Sequence, residues 1–462
     1  MQLSLLLTLI LARTLARSTN PDYVAPPPSP PRVRKVRRRM SVNSQLFARG
    51  PWGAYNNPSN IIGTFWIEEK QDGERLSLHE LKLLLRTRVL RFERLRSLLV
   101  DDGCGLKEWA PTDEDKVDLD ATVTEISIAT RAEIKNVVGS RLRRAWEPGM
   151  LAWRSYLVRV DDDPTVSCIV MDMHHGLGDG LSLVRVLFDL LTTEGGERLP
   201  PMMDIKNKKS NGPKKSLALK LARSVAFHIW ALFAFLLGLW HVILTVVWTA
   251  DSPNALKSPH FPLYHPLTEK MSIEYLPDVS LEAVKNIKNA YGNRTTLNDI
   301  IVAALGGAYR KLLLEIKDPL LNRVSEEKDN ESMLFRAFCP FSFPRPIGPD
   351  DTEMHNGFAF VTLALPVGVA GAPSRRVART REITNKVKAS LEPVALALAQ
   401  TLLAHTIGFD VLGFIAVQMN LRHSILFTNV PGPEFQTHLA GRKVIAMNPS
   451  EAIFYFIRGP KF

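Results

Sequence analysis

Two adjacent histidines, His174 and His175, close an apolar run and are followed by Asp179 and Gly180 in the stretch IVMDMHHGLGDG (169–180). Histidine is the side chain whose ordinary pKa leaves a neutral imidazole available near neutral pH, so a positioned histidine can take a proton from a hydroxyl. The glycines of the stretch permit close approach of backbone and substrate. The aspartate, four residues beyond His175, has the spacing of a charge partner or of a loop anchor that bonds an arginine or the backbone. Two other readings stand beside that chemistry. A metal centre needs three or four ligands in a defined geometry, and neighbours on an extended strand point to opposite faces, so no metal is expected. A pair of histidines bonded to backbone at a turn would also satisfy the pattern.

Flanking patterns place the motif. AWRSYLVRVDDDPTVSCIVMDMHH predicts two strands around a DDDP turn. After the glycines, Leu181, Val184, Phe188 and Leu191 recur at spacings of three and four, which predicts a helix packed by one face. The motif therefore sits at a strand-to-turn-to-helix junction. Upstream, LHELKLLLRTRVLRFERLRSLLV predicts an amphipathic helix, with Leu78, Leu81, Leu85, Val89 and Phe92 on its apolar face. Downstream, TTLNDIIVAALGGAYRKLLLEI predicts a capped helix whose small residues allow close packing, while GFAFVTLALPV and HSILFTNVPGP predict strands. Helices and strands alternate in both halves, an α/β build, and no internal repeat is present.

The chain has 462 residues and a formal charge of +11, long enough for two cores. Its basicity is local. Residues 1–50 hold nine Lys/Arg against the single acid Asp22, and 206–223 hold seven basic side chains and no acid, so the remainder is net acidic. Both basic segments adjoin apolar stretches, which favours anionic lipid over nucleic acid. The first stretch, Leu3 to Ala12, is shorter than the ~20 residues of a spanning helix and resembles a signal peptide that lacks the preceding positive charge; a transit-like sequence or a membrane-surface segment fits it equally. The prolines and cations that follow predict a disordered tether. Between Arg223 and Asp251 lie 27 residues without formal charge, enough for a helix about 40 Å long that could be transmembrane. Cys104, Cys168 and Cys339 lie far apart with no zinc spacing or disulfide framework, which points to reduced surroundings.

HHGLGDG matches the HHxxxDG signature of the CoA-dependent acyltransferase superfamily. Together with PSNIIGTFWI, TLNDIIVAALGGAYRKLL (296–313), FTNVPGP (427–433) and PFSFPR (340–345), it gives an order that resembles the wax ester synthase/diacylglycerol acyltransferase family over roughly residues 45–450. The resemblance implies a two-domain chloramphenicol acetyltransferase-like fold with a hydrophobic helical insertion. Its parts are a tether (1–44), an N-terminal half (45–205), a basic and membrane-associated segment (206–264) and a C-terminal half (265–462). It also implies transfer of a fatty acyl group from acyl-CoA to a long-chain alcohol or diacylglycerol, with no bound cofactor. His175 would be the base, His174 a support at the strand end, Asp179 the holder of the loop and Gly180 its turn. Asn298 would be a candidate oxyanion donor. Asn298 and Asp299 also suit a helix cap, and Asn429, Pro431 and Gly432 a tight turn. A condensation-type acyltransferase and an inactive, membrane-attached lipid-binding protein are the alternatives. The chain lacks a DFGWG sequence and stops at IFYFIRGPKF, earlier than the family usually ends, which puts the last strand or strands, and with them activity, in question. The family's active site lies between the halves, which a single span at 224–250 would place on opposite sides of a bilayer. Attachment to one face, at the endoplasmic reticulum or a lipid droplet facing the cytosol, is therefore the expectation, with a plastid as the other candidate.

Overall fold

The computed structural model of the chain describes residues 38–49, 55–56, 60–70, 72–142, 144, 146, 149–199, 232–233, 236, 240, 249–256, 272–322, 328–330, 332–343, 351–430, 432–451 and 455–456. The N-terminal apolar stretch, Lys206–Arg223, most of 224–250, and Pro431 lie outside them. The strands are β1 (Arg38–Arg39), β2 (Tyr55–Asn56), β3 (Asn60–Glu68), β4 (Ser97–Asp101), β5 (Lys107–Pro111), β6 (Val123–Ile128), β7 (Trp153–Val160), β8 (Val166–His174), β9 (Arg336–Ser342), β10 (Phe358–Ala364), β11 (Ile425–Leu426), β12 (His438–Leu439), β13 (Arg442–Glu451) and β14 (Tyr455–Phe456). The helices are α1 (Val42–Ala48), α2 (Leu78–Arg88), α3 (Ile134–Leu142), α4 (Gly180–Leu190), α5 (Leu281–Ala290), α6 (Leu297–Glu315), α7 (Pro319–Asn322), α8 (Pro373–Ala389), α9 (Glu392–Thr406) and α10 (Phe409–Leu421).

The larger sheet has the order β12-β13-β3-β8-β7-β6. β8 lies inside it and is buried along its whole length, which is why its sequence is apolar on both faces rather than alternating. One face, with Ile169, Met171 and Met173, packs on Leu81 and Leu85 of α2 and Leu183 and Val186 of α4. The other, with Cys168 and Val170, packs on Ile134, Val138 and Leu142 of α3. β13 comes from the end of the chain and pairs antiparallel with β3, running from Val444 opposite Ile67 to Glu451 opposite Ile61. A buried ion pair fastens it: Arg442 Nε lies 2.9 Å from Glu69 Oε2, with the arginine side chain fully enclosed.

The smaller sheet, β10-β9-β11, has its own core of Phe335, Ala337, Val361 and Leu363 against Val302 and Leu313 of α6. α6 starts with a capping box, Thr296 Oγ1 accepting from Asp299 N while the Asp299 carboxylate accepts from Thr296 N. The paired glycines of α6 have a packing reason. A Cβ at Gly306 would stand 2.7 Å from Pro366 Cδ, and one at Gly307 3.1 Å from Arg376 Nε.

This is the α/β, two-half arrangement that the motif order implies, with several corrections. The boundary expected at 44/45 falls inside α1, and residues 38–44 are folded: β1 pairs with β5, and Gln45 exchanges two hydrogen bonds with the Lys107 backbone. The segment expected to run as linker to 264 re-enters the fold by 251. There Asp251 is buried and accepts from the backbone N–H groups of Arg336 and Ser424, each at 2.8 Å. The helix predicted from Leu78 stops at Arg88, and Ser97 onward is a strand, because the Leu/Val run at 98–100 is half buried against β5. HSILFTNVPGP contributes strand only at Ile425–Leu426.

The shared sheet bears on the topology question. Chain on either side of 224–250 meets in one ladder, β3 with β13, while most of that segment lies outside the described residues. No single helix among the described residues is long and apolar enough to cross a membrane. α8 and α9 meet those criteria only as a pair bent by 49°.

Candidate functional site

His174 ends β8, and His175 begins a single 3-10 turn, His175–Leu177, that leads to α4. Both imidazoles are enclosed, at 4% and 5% exposure. His174 Nδ1 accepts a hydrogen bond from Gly176 N at 2.9 Å, which requires that nitrogen to be unprotonated. Burial, and next the neighbouring His175, push the His174 pKa down to about 3; a bond involving the Phe47 backbone works weakly the other way. His174 is thus a neutral strand-end support. The two glycines after His175 are needed for space: a Cβ at Gly176 would stand 2.7 Å from His174 Nδ1, and one at Gly178 2.9 Å from Ser182 Cβ.

Asp179 caps α4. Its Oδ1 accepts from Ser182 N at 2.9 Å and its Oδ2 from Gly357 N at 3.0 Å, while its own N–H donates to His355 O at 2.9 Å. Ser182 adds two bonds to His355 on the same seam. The aspartate therefore bonds backbone rather than an arginine, and it ties the motif to the segment entering β10.

His175 is held from several directions. The Phe47 ring of α1 stacks on its imidazole with centroids 4.0 Å apart and planes at 15°, and Phe358 of β10 lies 5.8 Å away. Asn356 Nδ2 donates to the His175 carbonyl at 2.8 Å, and Ser44 Oγ donates to Gly176 O at 2.8 Å. His175 Nδ1 is buried with no hydrogen-bond partner, and Nε2 faces the carboxylate of Glu451. Phe47, Ser44, Asn356 and Glu451 were not singled out in the sequence. Asn356-Gly357 directly before a strand was a readable turn signal, whereas nothing local marks Glu451.

The other motif residues fall elsewhere. Asn298, exposed in the first turn of α6, accepts from Asn429 Nδ2, so the TLND and FTNVPGP segments meet each other rather than His175. That placement gives Asn298 a partner in Asn429 and no described contact with the imidazole. Asp299 serves the capping box and accepts from Thr384 Oγ1 at 2.7 Å. Burial opposes its ionisation, but the bonds from Thr384 and Thr296 outweigh it and lower the pKa. Val430 reaches the main motif, since a Cβ at Gly180 would sit 3.5 Å from its Cγ2, while a Cβ at Gly432 would meet nothing. Among the described residues no three His, Cys, Asp or Glu side chains gather as a metal site, and the three cysteines are free.

Comparison with known proteins agrees with the motif order. Residues 354–454 match the model of the WS/DGAT C-terminal domain. Wax ester synthase/diacylglycerol acyltransferase 6 of Arabidopsis thaliana is 20% identical over 328 residues, 64% of this chain and 61% of its own. Number 11 of the same plant is 24% identical over 316 residues, with 64% and 62% covered. The chain therefore spans about three fifths of the length of these curated relatives. The solved wax ester synthase/diacylglycerol acyltransferase of Marinobacter aquaeolei VT8 superposes with a TM-score of 0.55 at 16% identity, covering 91% of this chain and 88% of that one, which shows a common fold. With HHxxxDG, TLND and FTNVPGP in order on that fold, the chain is similar to the wax ester synthase/diacylglycerol acyltransferase family and carries a match to its C-terminal domain over 354–454.

Proposed function

We propose that the chain is an acyl-CoA-dependent O-acyltransferase that esterifies a long-chain alcohol or diacylglycerol, with His175 as general base. The observation that carries this is one enclosed imidazole at the meeting point of the two halves, with a ring nitrogen that no protein group uses. In the reaction the acceptor O–H bond breaks and its proton passes to the imidazole. The oxygen forms the new bond to the thioester carbonyl carbon, the C–S bond breaks, and the imidazolium returns the proton to the departing sulfur. No acyl-enzyme is needed. Phe47 and Phe358 keep water from the ring, and the Asp179 and Asn356 bonds fix the loop that carries it. Alignment of two bound substrates supplies more of the rate than proton transfer, which contributes about 10²- to 10⁴-fold.

The substrates named for the relatives are lipids, which agrees with a lipid-facing attachment. We place the basic and apolar segment 206–250 at one leaflet. Leu232, Phe233, Leu236 and Trp240 are helical and 51–61% exposed, an apolar surface of the kind that binds membranes. The deciding experiment offers labelled acyl-CoA with a panel of alcohols and diacylglycerols to the purified wild type and to His175→Ala. The wild type should form ester and the variant should lose about 10²- to 10⁴-fold in turnover. A folded His175→Ala variant that turns over normally overturns the assignment of the base. Absence of ester from every acceptor favours the lipid-binding alternative.

A further inference from the structure

The sheet delivers a carboxylate to the tip of β8. Glu451 stands opposite Ile61 on β3, and Ile61 stands opposite Met173 on β8, two residues before His175. Across those two ladders Glu451 Oε1 comes to 2.9 Å from His175 Nε2, with the two side chains 17% and 7% exposed. The approach is close but not aligned, since Oε1 completes no in-line hydrogen bond. Two more buried atoms around the ring lack partners, His175 Nδ1 and Asn356 Oδ1. Protein interiors pair nearly all such atoms, so unpaired polar atoms around one imidazole need a reason. An exchange of protons at that ring supplies one, because catalytic hydrogen bonds are often poorly aligned until substrate is bound.

We propose that Glu451 is the positioning residue of His175, a role that rests on reading His175 as the base. A carboxylate only accepts, so it selects the tautomer with the proton on Nε2 and leaves the Nδ1 lone pair to the acceptor hydroxyl. When the ring takes that proton, the carboxylate beside Nε2 stabilises the imidazolium. No other charged group competes at the ring among the described contacts. His174 is held neutral with Nδ1 bonded to Gly176, both Asp179 oxygens are occupied by backbone N–H groups, and α1 and β10 present Phe47 and Phe358.

The test uses the full chain with isotope-labelled histidine, wild type and Glu451→Gln, with the His175 ring signal assigned by its loss in His175→Gln. Removing the carboxylate should shift the His175 ring nitrogen signals away from the tautomer with the proton on Nε2. In acyl transfer, Glu451→Gln should lose about 10- to 100-fold in kcat, the value of one hydrogen bond to a charged group. KM for acyl-CoA should stay within about twofold, because the carboxylate does not touch the thioester. Glu451→Asp should recover part of the loss. Unchanged ring nitrogen signals, an unchanged kcat, or a faster Glu451→Gln enzyme each overturns the proposal. If His175→Ala is inactive while Glu451→Gln matches the wild type, the positioning role falls and the base stands. Carboxylate-dependent ring signals in a protein that transfers no acyl group keep the pairing and remove the reaction.

Discussion

Replacing Asp179 with Asn changes one atom of the seam between the motif loop and the C-terminal half. The wild-type carboxylate is 6% exposed and accepts from Ser182 N at 2.9 Å and Gly357 N at 3.0 Å. In Asp179→Asn the amide oxygen keeps the cap to Ser182, and the amide NH₂ is turned toward the Gly357 N–H, donor against donor. A hydrogen bond to a charged group is worth about 1.5–3 kcal/mol, and stranding a buried donor costs about 1–3 kcal/mol more. The variant should therefore lose about 3 kcal/mol. Unfolding entropy of about 2.1 cal/mol/K per residue, over the compact unit Arg37–Phe462, converts this to a Tm drop of about 3 °C.

Turnover should fall further than stability, because the same bonds place His175 and a displacement of about 1 Å can cost about 10²-fold. Thermal unfolding and acyl transfer on the same preparation measure both. Ser182→Ala is the graded comparison. It removes the hydroxyl that bridges His355 O and N at 2.8 and 3.0 Å but leaves the carboxylate, so both effects should be smaller. Lost turnover with an unchanged Tm would mean that Asp179 touches the reacting groups. If neither changes, the seam does not hold the loop.

Two further outcomes follow from buried charges. Arg442→Met should cost about 3 kcal/mol by breaking the pairs to Glu69 and Glu80, near the low end for buried ion pairs because Glu69 keeps Arg159 and the Leu76 N–H. A loss under about 1 kcal/mol in thermal or denaturant unfolding would refute that. Asp172, on β8, is fully buried with no hydrogen-bond partner for either oxygen, and burial raises its pKa to about 7 against the pull of Arg144 and Arg141. The stability linked to this group is complete below pH ~4 and is lost progressively as pH rises to ~7, so Asp172→Asn should raise Tm at pH 8 relative to wild type and do least at pH ~4. Equal shifts at both values would contradict the buried-acid reading.

What the sequence made legible follows from which contacts are local. The strand pair around DDDP, the α4 helix and the α6 cap are written within a dozen residues each, in periodicity and capping chemistry, and they appear nearly as expected. The stop of α2 at Arg88 was not, because the apolar spacing continues through Phe92 while tertiary pairing with β5 takes Ser97 onward into a strand. At the site, His174, His175 and Asp179 come from one motif. Phe47 and Glu451 reach the imidazole, and Asn356 the His175 carbonyl, from widely separated parts of the chain, and their approach is a property of tertiary packing that no local pattern encodes. Asn298 and Asn429 come from two further segments and bond each other in the exposed first turn of α6.

That same register constrains how the site is held together. β3 and β13 flank the apolar segment in sequence and pair in space, so chain from both sides of that segment contributes to one sheet. The imidazole lies where α1, the motif loop, the 356–358 segment and β13 converge. Glu451 and His175 ride on one sheet through β13, β3 and β8, whereas Asn356 and Phe358 belong to the segment entering β10 of the smaller sheet. A rotation of one sheet against the other would therefore move Asn356 and Phe358 relative to His175 while leaving Glu451 in place, so the base is assembled only while the seam between the motif loop and that segment holds.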